Sequence, residues 1–486
     1  MDTKVIRSKT ASATRWSTIS EIIAKLITPI TNMILARLLT PEAFGVVATV
    51  TMIVSFADIF TDAGFQKYLI QHDFKDTTEL DNHTNVAFWS NLIMSLVLWG
   101  GICVFSTPIT VAVGNPGLEI VIIVASVSLP LTSFSSIQMA RFKRDFNYKT
   151  LLPIRIASVL IPFCVTIPLA FLFRSYWALI VSTIVGNLTN AILLTIKSQW
   201  KPKFYFNISI LKEMFSYSWW ILLESISVWA TNYIDTFIVG IFLSTYYVGL
   251  YKTSMSTVNQ IMGLITAATS LPLFAALSRL KNDELSLKLT YLKYVKAVAN
   301  FVIPLGIGIF LYRDLVVTIL LGNQWDEATS FVGLWGSVYA LTIVLGSYCN
   351  GLYNAVGKTY LSFISQLLQL IVLIPALLFA VQRGYECLYV VRSVVRLEII
   401  FVQFIIMKYT FSIRVIDQIK TIIPATICSG FMVVVALILR KIAVGILWDV
   451  FSVLLCIIIY FIMMFVLYKN TLVESLEILG IKQMRR

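Results

Sequence analysis

The sequence predicts an all-α integral membrane protein of about fourteen transmembrane helices, built as two six-helix lobes with two further helices at the C-terminal end. Three observations point there: the composition, a ladder of apolar runs, and cations that alternate from one side of that ladder to the other. Of 486 residues, 58% are hydrophobic and 13% charged, with a mean hydropathy of +0.84. Soluble domains average about 45–50% apolar and about 25% charged residues, so this chain lacks the charge to cover a water-exposed surface. A soluble enzyme, a disordered scaffold and a nucleic-acid-binding domain are excluded. The net charge of +13 belongs to cations flanking spans, not to a nucleic-acid footprint.

A spanning helix needs about 20 mostly apolar residues. Stretches of that kind, bounded by charges, Gly, Pro or Asn, fall at 16–37, 42–64, 84–107, 117–138, 151–173, 176–196 and 216–242. They continue at 248–276, 296–320, 329–353, 359–381, 387–407, 421–439 and 448–468. The connections are too short for a soluble domain on either face. Residues 1–15 are polar and basic and the first apolar run is long enough to remain as a span, so no cleaved signal is expected. Of the 38 Lys and Arg residues, 27 fall on the face that carries both termini and 6 on the other, with five inside spans. Both termini are therefore expected in the cytoplasm. Residues 471–486 read as an amphipathic helix on the cytoplasmic surface. Five of the six cysteines lie in apolar runs and only Cys387 in a polar loop, which leaves no external pair for a disulfide. His72 and His83 share one polar segment without metal-ligand spacing.

The chain also repeats. A shift of 204 residues lays the segment from Trp16 on the segment from Trp220, with Thr40 over Ser244 and Gly45 over Gly249. Each copy is a helix, a short turn with a hydroxyl residue and a Gly, then another helix. Six spans is an even number, so the copies keep the same topology and form parallel repeats. The expected divisions are 1–200 for the first lobe, 201–410 for the second, 411–470 for the extra pair of spans and 471–486 for the tail.

The segments LARLLTPEAFGVVA (35–48), GFQKYLIQ (64–71) and MARFKRDFNYKTLL (139–152) follow one another in the first half. YIDTFIVGIFLSTYYVGLYKTSMS (233–256), LPLFAALSRL (271–280) and LGNQWDEA (321–328) follow in the second. This ordered set resembles the Wzx-type polysaccharide flippases of the multidrug/oligosaccharidyl-lipid/polysaccharide exporter superfamily. The resemblance implies flipping of an undecaprenyl-diphosphate-linked oligosaccharide across a bacterial inner membrane, for O-antigen, capsule or exopolysaccharide synthesis. It implies lobes that rock around a cationic cavity, a lipid-tail groove along the last two helices, and polymerase and assembly proteins as partners beside the lipids.

The residues that should not lie in an apolar phase carry the rest. A charge at the bilayer midplane costs about 2.5–3.5 kcal/mol on insertion scales and normally meets a partner or a cavity. Lys25, Lys252, Arg392 and Arg396 are candidates to neutralise the substrate's diphosphate by charge-assisted hydrogen bonds, with Arg155 a further one nearer the interface. If the glycan is acidic, the same cations would serve its carboxylates. Arg392 and Arg396 are one turn apart and repel each other, which favours an anion between them. Asp58, Glu224 and Asp235 are candidates for a proton or sodium site, the one cofactor-like requirement expected. Structural alternatives stay open: Glu21 with Lys25 as a bridge, Asp235 in lobe packing, Asp62 at a span end. Trp219, Trp220, Trp229, Tyr233 and Trp335 serve either as interfacial anchors or as platforms for sugar rings. Pro29, Pro130, Pro153, Pro162, Pro168, Pro272, Pro304, Pro375 and Pro424 fit either hinges or static bends.

Two rival classes stand beside this reading. A cation-coupled small-molecule exporter of the same superfamily would be expected with twelve spans. A membrane polymerase or transferase would need an external loop or domain with carboxylate or metal chemistry, and the sequence holds no D-x-D, metal spacing or Gly-rich phosphate loop. No catalytic or metal residues are expected.

Overall fold

The computed structural model describes residues 27–62 and 64–478. Every regular element among them is helical. The first described helix, α1, covers 27–38, followed by α2 (Pro41–Asp62), α3 (Phe65–Gln71), α4 (Thr77–Val104), α5 (Ser106–Ala112) and α6 (Glu119–Ser126). Next come α7 (Ser128–Arg144), α8 (Tyr148–Phe173), α9 (Trp177–Lys197), α10 (Ile208–Phe242) and α11 (Thr245–Arg279). The chain continues through α12 (Glu284–Leu311), α13 (Arg313–Leu320), α14 (Thr329–Thr342), α15 (Tyr348–Ala355) and α16 (Tyr360–Val381). It ends in α17 (Tyr385–Arg396), α18 (Glu398–Phe411), α19 (Val415–Ile442) and α20 (Ile446–Ile478).

Among the described residues ten helical segments are long and apolar enough to cross a membrane, or eleven with the bent α11 counted as one span. That is fewer than fourteen, for reasons the sequence contains. The span at 16–37 is described only from residue 27. The span at 216–242 lies on α10, whose Glu224, Asn232 and Asp235 dilute its apolar face. The span at 387–407 is divided between α17 and α18, with Arg392, Arg396 and Glu398 clustered around the break at Leu397.

Polar punctuation sets the boundaries. Asp76 caps α4 by accepting from the Glu79 amide at 2.7 Å, while Glu79 Oε2 accepts from the Lys75 amide at 2.6 Å, so two orphan donors are satisfied reciprocally. Asp283 caps α12 in the same way through the Ser286 amide at 3.0 Å. Prolines sit inside α8, α11, α12, α16 and α19, and each removes one donor from its ladder. A five-residue π turn, Ile343–Ser347, joins α14 to α15.

The chain divides into two compact units after Gly249. In the first, α2 packs on α4, α7 and α10, and α8 on α9. In the second, α12 is the hub for α14, α19 and α20. The backbone of α20 turns at Tyr468 (φ −137°, ψ 41°), and its last turns fold back on the hub: Ser475 Oγ accepts from Asn300 Nδ2 at 2.9 Å. The predicted surface helix at 471–486 thus begins as packed structure through residue 478, and its remainder lies outside the described residues.

The repeat has a physical counterpart inside the first unit. A methyl group added at Gly45 would overlap the carbonyl oxygen of Thr245, and one added at Gly249 would overlap that of Pro41. Residues 41 and 245, like 45 and 249, are 204 apart, so the two copies of the turn cross reciprocally, backbone on backbone. Beside the crossing, the Thr245 hydroxyl donates to the Asn115 side chain, and the Gly114 and Gly240 backbones touch. Only glycine leaves room for these approaches. Gly249→Val is therefore expected to overpack the crossing by at least about 1–3 kcal/mol. Detergent-solubilised variant should melt several degrees below wild type, and an unchanged Tm would show that the crossing yields without strain.

Candidate functional site

Two neighbouring cavities of the first unit hold candidate residues. One of about 190 Å³ lies among α2, α6, α7 and α9 and is lined by Asp58. Asp58 Oδ1 accepts from the hydroxyls of Thr61 and Thr132, each at 3.0 Å. Ser55, also on this wall, receives the indole N–H of Trp229 at 3.1 Å, and that indole shares its proton with the Met52 carbonyl at 3.2 Å. The Trp229 ring lies 4.6 Å from Phe56 and 5.8 Å from Tyr233. Trp229 therefore pins α10 to α2 beside the Asp58 cavity.

The second cavity is larger, about 750 Å³, and is built by α1, α7, α8 and α9. Arg155 and Lys143 bring positive charge to it, Asn32, Asn187 and Asn190 bring amides, and Thr28, Thr31, Ser158, Ser182 and Thr183 bring hydroxyls. Short polar groups around fixed cations suit a phosphorylated or acidic, hydroxyl-rich ligand, because amides and hydroxyls can both donate to and accept from sugar oxygens.

Two other acidic candidates occupy different surroundings. Glu224 is half exposed and lies 3.7 Å from Lys67, which is equally exposed. Asp235 is fully buried on α10, and its Oδ1 accepts from the Thr236 amide at 2.7 Å and the Thr236 hydroxyl at 3.2 Å.

In the second unit the arginines meet aromatic rings. Arg392 is 2% exposed; its Nε donates to Tyr251 Oη at 3.1 Å, and its guanidinium carbon lies 5.2 Å from the Trp335 ring centre. Phe331 stacks on Tyr251 at 5.2 Å and on Tyr389 at 5.5 Å, and the Trp335 N–H donates to Asn259 at 3.0 Å. A guanidinium tolerates this burial because its flat faces stack while its edge donates hydrogen bonds. Arg396, one turn on, is half-buried near Tyr339, which stacks on Trp335 at 5.7 Å. Lys252 is half-buried beside Tyr251 in sequence.

A cavity of about 470 Å³ lies in the second unit among α11, α12, α13, α19 and α20. Its wall is almost wholly apolar, with Ile265, Gly308, Met432, Val453, Ile457 and Phe461 on it. An isoprenoid chain has matching chemistry.

Lys25 lies outside the described residues. Of the other candidates, the structure sets Asp58 and Arg155 on adjoining cavities of the first unit and groups Arg392, Arg396 and Trp335 in the second. Glu224 and Asp235 line neither of those two cavities. Trp219 is exposed, and Trp335 is engaged by Arg392 in a buried cluster. Sequence reasoning missed Lys143, counted among cytoplasmic cations, and the pair Asn187 and Asn190. Two asparagines one turn apart inside the run at 176–196 were the available signal.

Comparison with known proteins agrees with this architecture. The polysaccharide biosynthesis protein family matches residues 34–330, more than half of the chain. The chain belongs to that family. Among curated relatives, the lipopolysaccharide biosynthesis protein WzxC of Escherichia coli is 21% identical over 383 residues, 78% of this chain and 76% of its own. The succinoglycan biosynthesis transport protein ExoT of Rhizobium meliloti is 22% identical over 335 residues, 68% and 67% of the two chains. In fold, the chain is similar to the lipid II flippase MurJ in an inward closed conformation, with a TM-score of 0.74 at 14% identity, over 94% of this chain and 99% of that one. It is less similar to an inward-facing multidrug transporter of the MATE family, at 0.60 and 14% identity, over 82% and 98%.

The Arg392 cluster gives a direct test. Arg392→Lys keeps the charge but loses the planar fork that reaches Tyr251 and stacks on Trp335, a loss of about 1.5–3 kcal/mol for a charge-assisted contact. Glycan export in a strain that depends on this chain should fall about tenfold or more, and Tyr251→Phe should fall less. Equal export by Arg392→Lys and wild type would remove the guanidinium geometry from the mechanism.

Proposed function

We propose that this chain flips an undecaprenyl-diphosphate-linked oligosaccharide across a bacterial inner membrane by alternating access, supplying surface-polysaccharide synthesis. One observation carries the reading: the chain holds both a cationic cavity rich in amides and hydroxyls and an almost wholly apolar crevice beside its last two helices. Only an amphiphile uses both. The polar cavity suits a hydrated sugar diphosphate, and the crevice suits a polyprenyl tail. Family membership and relatives named for polysaccharide biosynthesis and transport support the same substrate class.

In this reading Arg155 receives the anionic head in the first unit, and Lys252, Arg392 and Arg396 do so in the second, with Lys25 completing the set. Residues 1–200 and 201–410 act as rocking lobes, 411–470 supply the tail groove, and both termini face the cytoplasm. Asp58 is the coupling acid, because it opens on a cavity next to the cationic one. Glycan polymerase and assembly proteins are the partners that would receive the product. A small-molecule exporter has no use for a crevice of this length and apolarity.

Two experiments check the reading. Arg392→Ala combined with Arg396→Ala should abolish complementation of a flippase-deficient strain while the protein remains in the membrane. Gly308→Trp should do so too by filling the crevice, since nothing lies within 4 Å of a side chain begun at that glycine. Full export by either variant would exclude the corresponding contact with the substrate. Asp58→Asn and Asp235→Asn separate coupling from packing: transport by Asp58→Asn should no longer respond to the ion gradient, whereas Asp235→Asn should keep its response. The opposite pattern would transfer the coupling role to Asp235.

A further inference from the structure

The two cavities of the first unit share a wall. Thr183 and Asn187, on successive turns of α9, line both the Asp58 cavity and the one that holds Arg155 and Lys143. Among the described residues no hydrogen bond engages the half-buried Asn187 side chain, although it sits in an apolar span. The hydroxyls that bond Asp58 both end on Oδ1, and Asp58 lines the smaller cavity. Asp58 is the one ionisable side chain lining the smaller cavity among the described residues, and Lys143, Tyr148 and Arg155 are those lining the larger. Acids on the helices packed against α2 have partners elsewhere: Glu224 with Lys67, Asp235 with Thr236, Glu119 with Thr110, Asp81 with Arg141, Glu79 with the Lys75 amide and Glu213 with Tyr68. On α7, Arg144 is held by the carbonyls of Leu69 and His72.

We propose that Asn187 is a relay that makes binding of an anionic sugar group in the larger cavity depend on the protonation of Asp58. The relay rests on the flippase reading only for the identity of the ligand. A primary amide has a donor end and an acceptor end, which point in opposite directions. When Asp58 is ionised it accepts only, so the hydrogen-bonded chain across the small cavity runs from the Asn187 N–H₂ toward Oδ2, through water where the gap requires it. The amide then turns its carbonyl to the larger cavity, where it repels phosphate or carboxylate oxygens. When Asp58 takes up one proton from solution, its O–H donates and the chain reverses polarity. Asn187 then accepts with its carbonyl and presents N–H₂ to the anion, alongside Arg155 and Lys143. No bond other than the carboxyl O–H forms or breaks. Linkage makes the effect reciprocal: the anion that binds more tightly to the protonated form also raises the proton affinity of Asp58. This gives the pair of sites a physical basis for carrying proton and anionic glycan together.

The test uses the full-length purified protein and two soluble probes whose charge is constant between pH 5 and 8. UDP-glucose, a sugar diphosphate diester, and methyl glucuronide, a sugar carboxylate, distinguish the two possible sources of the anion. Affinity for one of them should tighten about tenfold from pH 8 to pH 5, within the usual range for coupled sites. Asn187→Leu should give a flat profile, and Asp58→Asn should be flat at the tight level. An Asn187→Leu profile as steep as wild type would overturn the relay. Infrared titration of the Asp58 carboxyl supplies a readout without ligand: Asn187→Leu must move its midpoint, and an unmoved midpoint would overturn the relay as well. If neither probe binds wild type, the relay to an anion is overturned, and a midpoint that still moves leaves only the coupling of Asn187 to Asp58.

Discussion

Charge in an apolar medium must be shared or hydrated, and that constraint organises what this chain does with its intramembrane polar groups. The cost of a few kcal/mol per isolated charge is met in three ways here. Asp235 is bonded by the residue that follows it and buried. Arg392 is wrapped by aromatic rings and a tyrosine hydroxyl. Asp58 and Arg155 are given cavities. The first encloses the charge, the second surrounds it with stacking surfaces, and the third sets it on open space.

The same contrast separates polar from apolar space on a larger scale. The first unit carries the amide- and hydroxyl-lined cavity, and the second carries the crevice framed by α12, α19 and α20. A sugar diphosphate and its polyprenyl tail demand opposite solvents, so a protein that moves both needs both environments. The reciprocal glycine crossing of the two repeat copies brings backbone against backbone, with no side chain between them.

Much of this was legible in the sequence, because apolar run length and cation placement depend on the bilayer and not on tertiary contacts. The runs at 42–64, 84–107, 151–173 and 421–439 reappear as α2, α4, α8 and α19. The 204-residue shift, thin as sequence identity, is realised in the pairs 41/245 and 45/249. The break of 387–407 after Arg396 was hidden by a hydropathy reading that treats the run as continuous. Site residues were harder. Charge marks a residue as interesting, but not whether it will be bonded by a neighbour, as Asp235 is, or open on a cavity, as Asp58 does. Lys143 and Asn187 became visible only once α7, α8 and α9 were brought together in space.

The most direct measurement is photo-crosslinking with a short polyprenyl-diphosphate disaccharide that carries its reactive group at the tip of the lipid tail. Mapped by peptide mass spectrometry, the label should concentrate on the crevice residues of α12 and α20 around Gly308, Ile457 and Phe461. It should be displaced by unlabelled lipid-linked sugar and not by phospholipid. A label scattered over the lipid-facing surface, or displaced equally by phospholipid, would contradict the account.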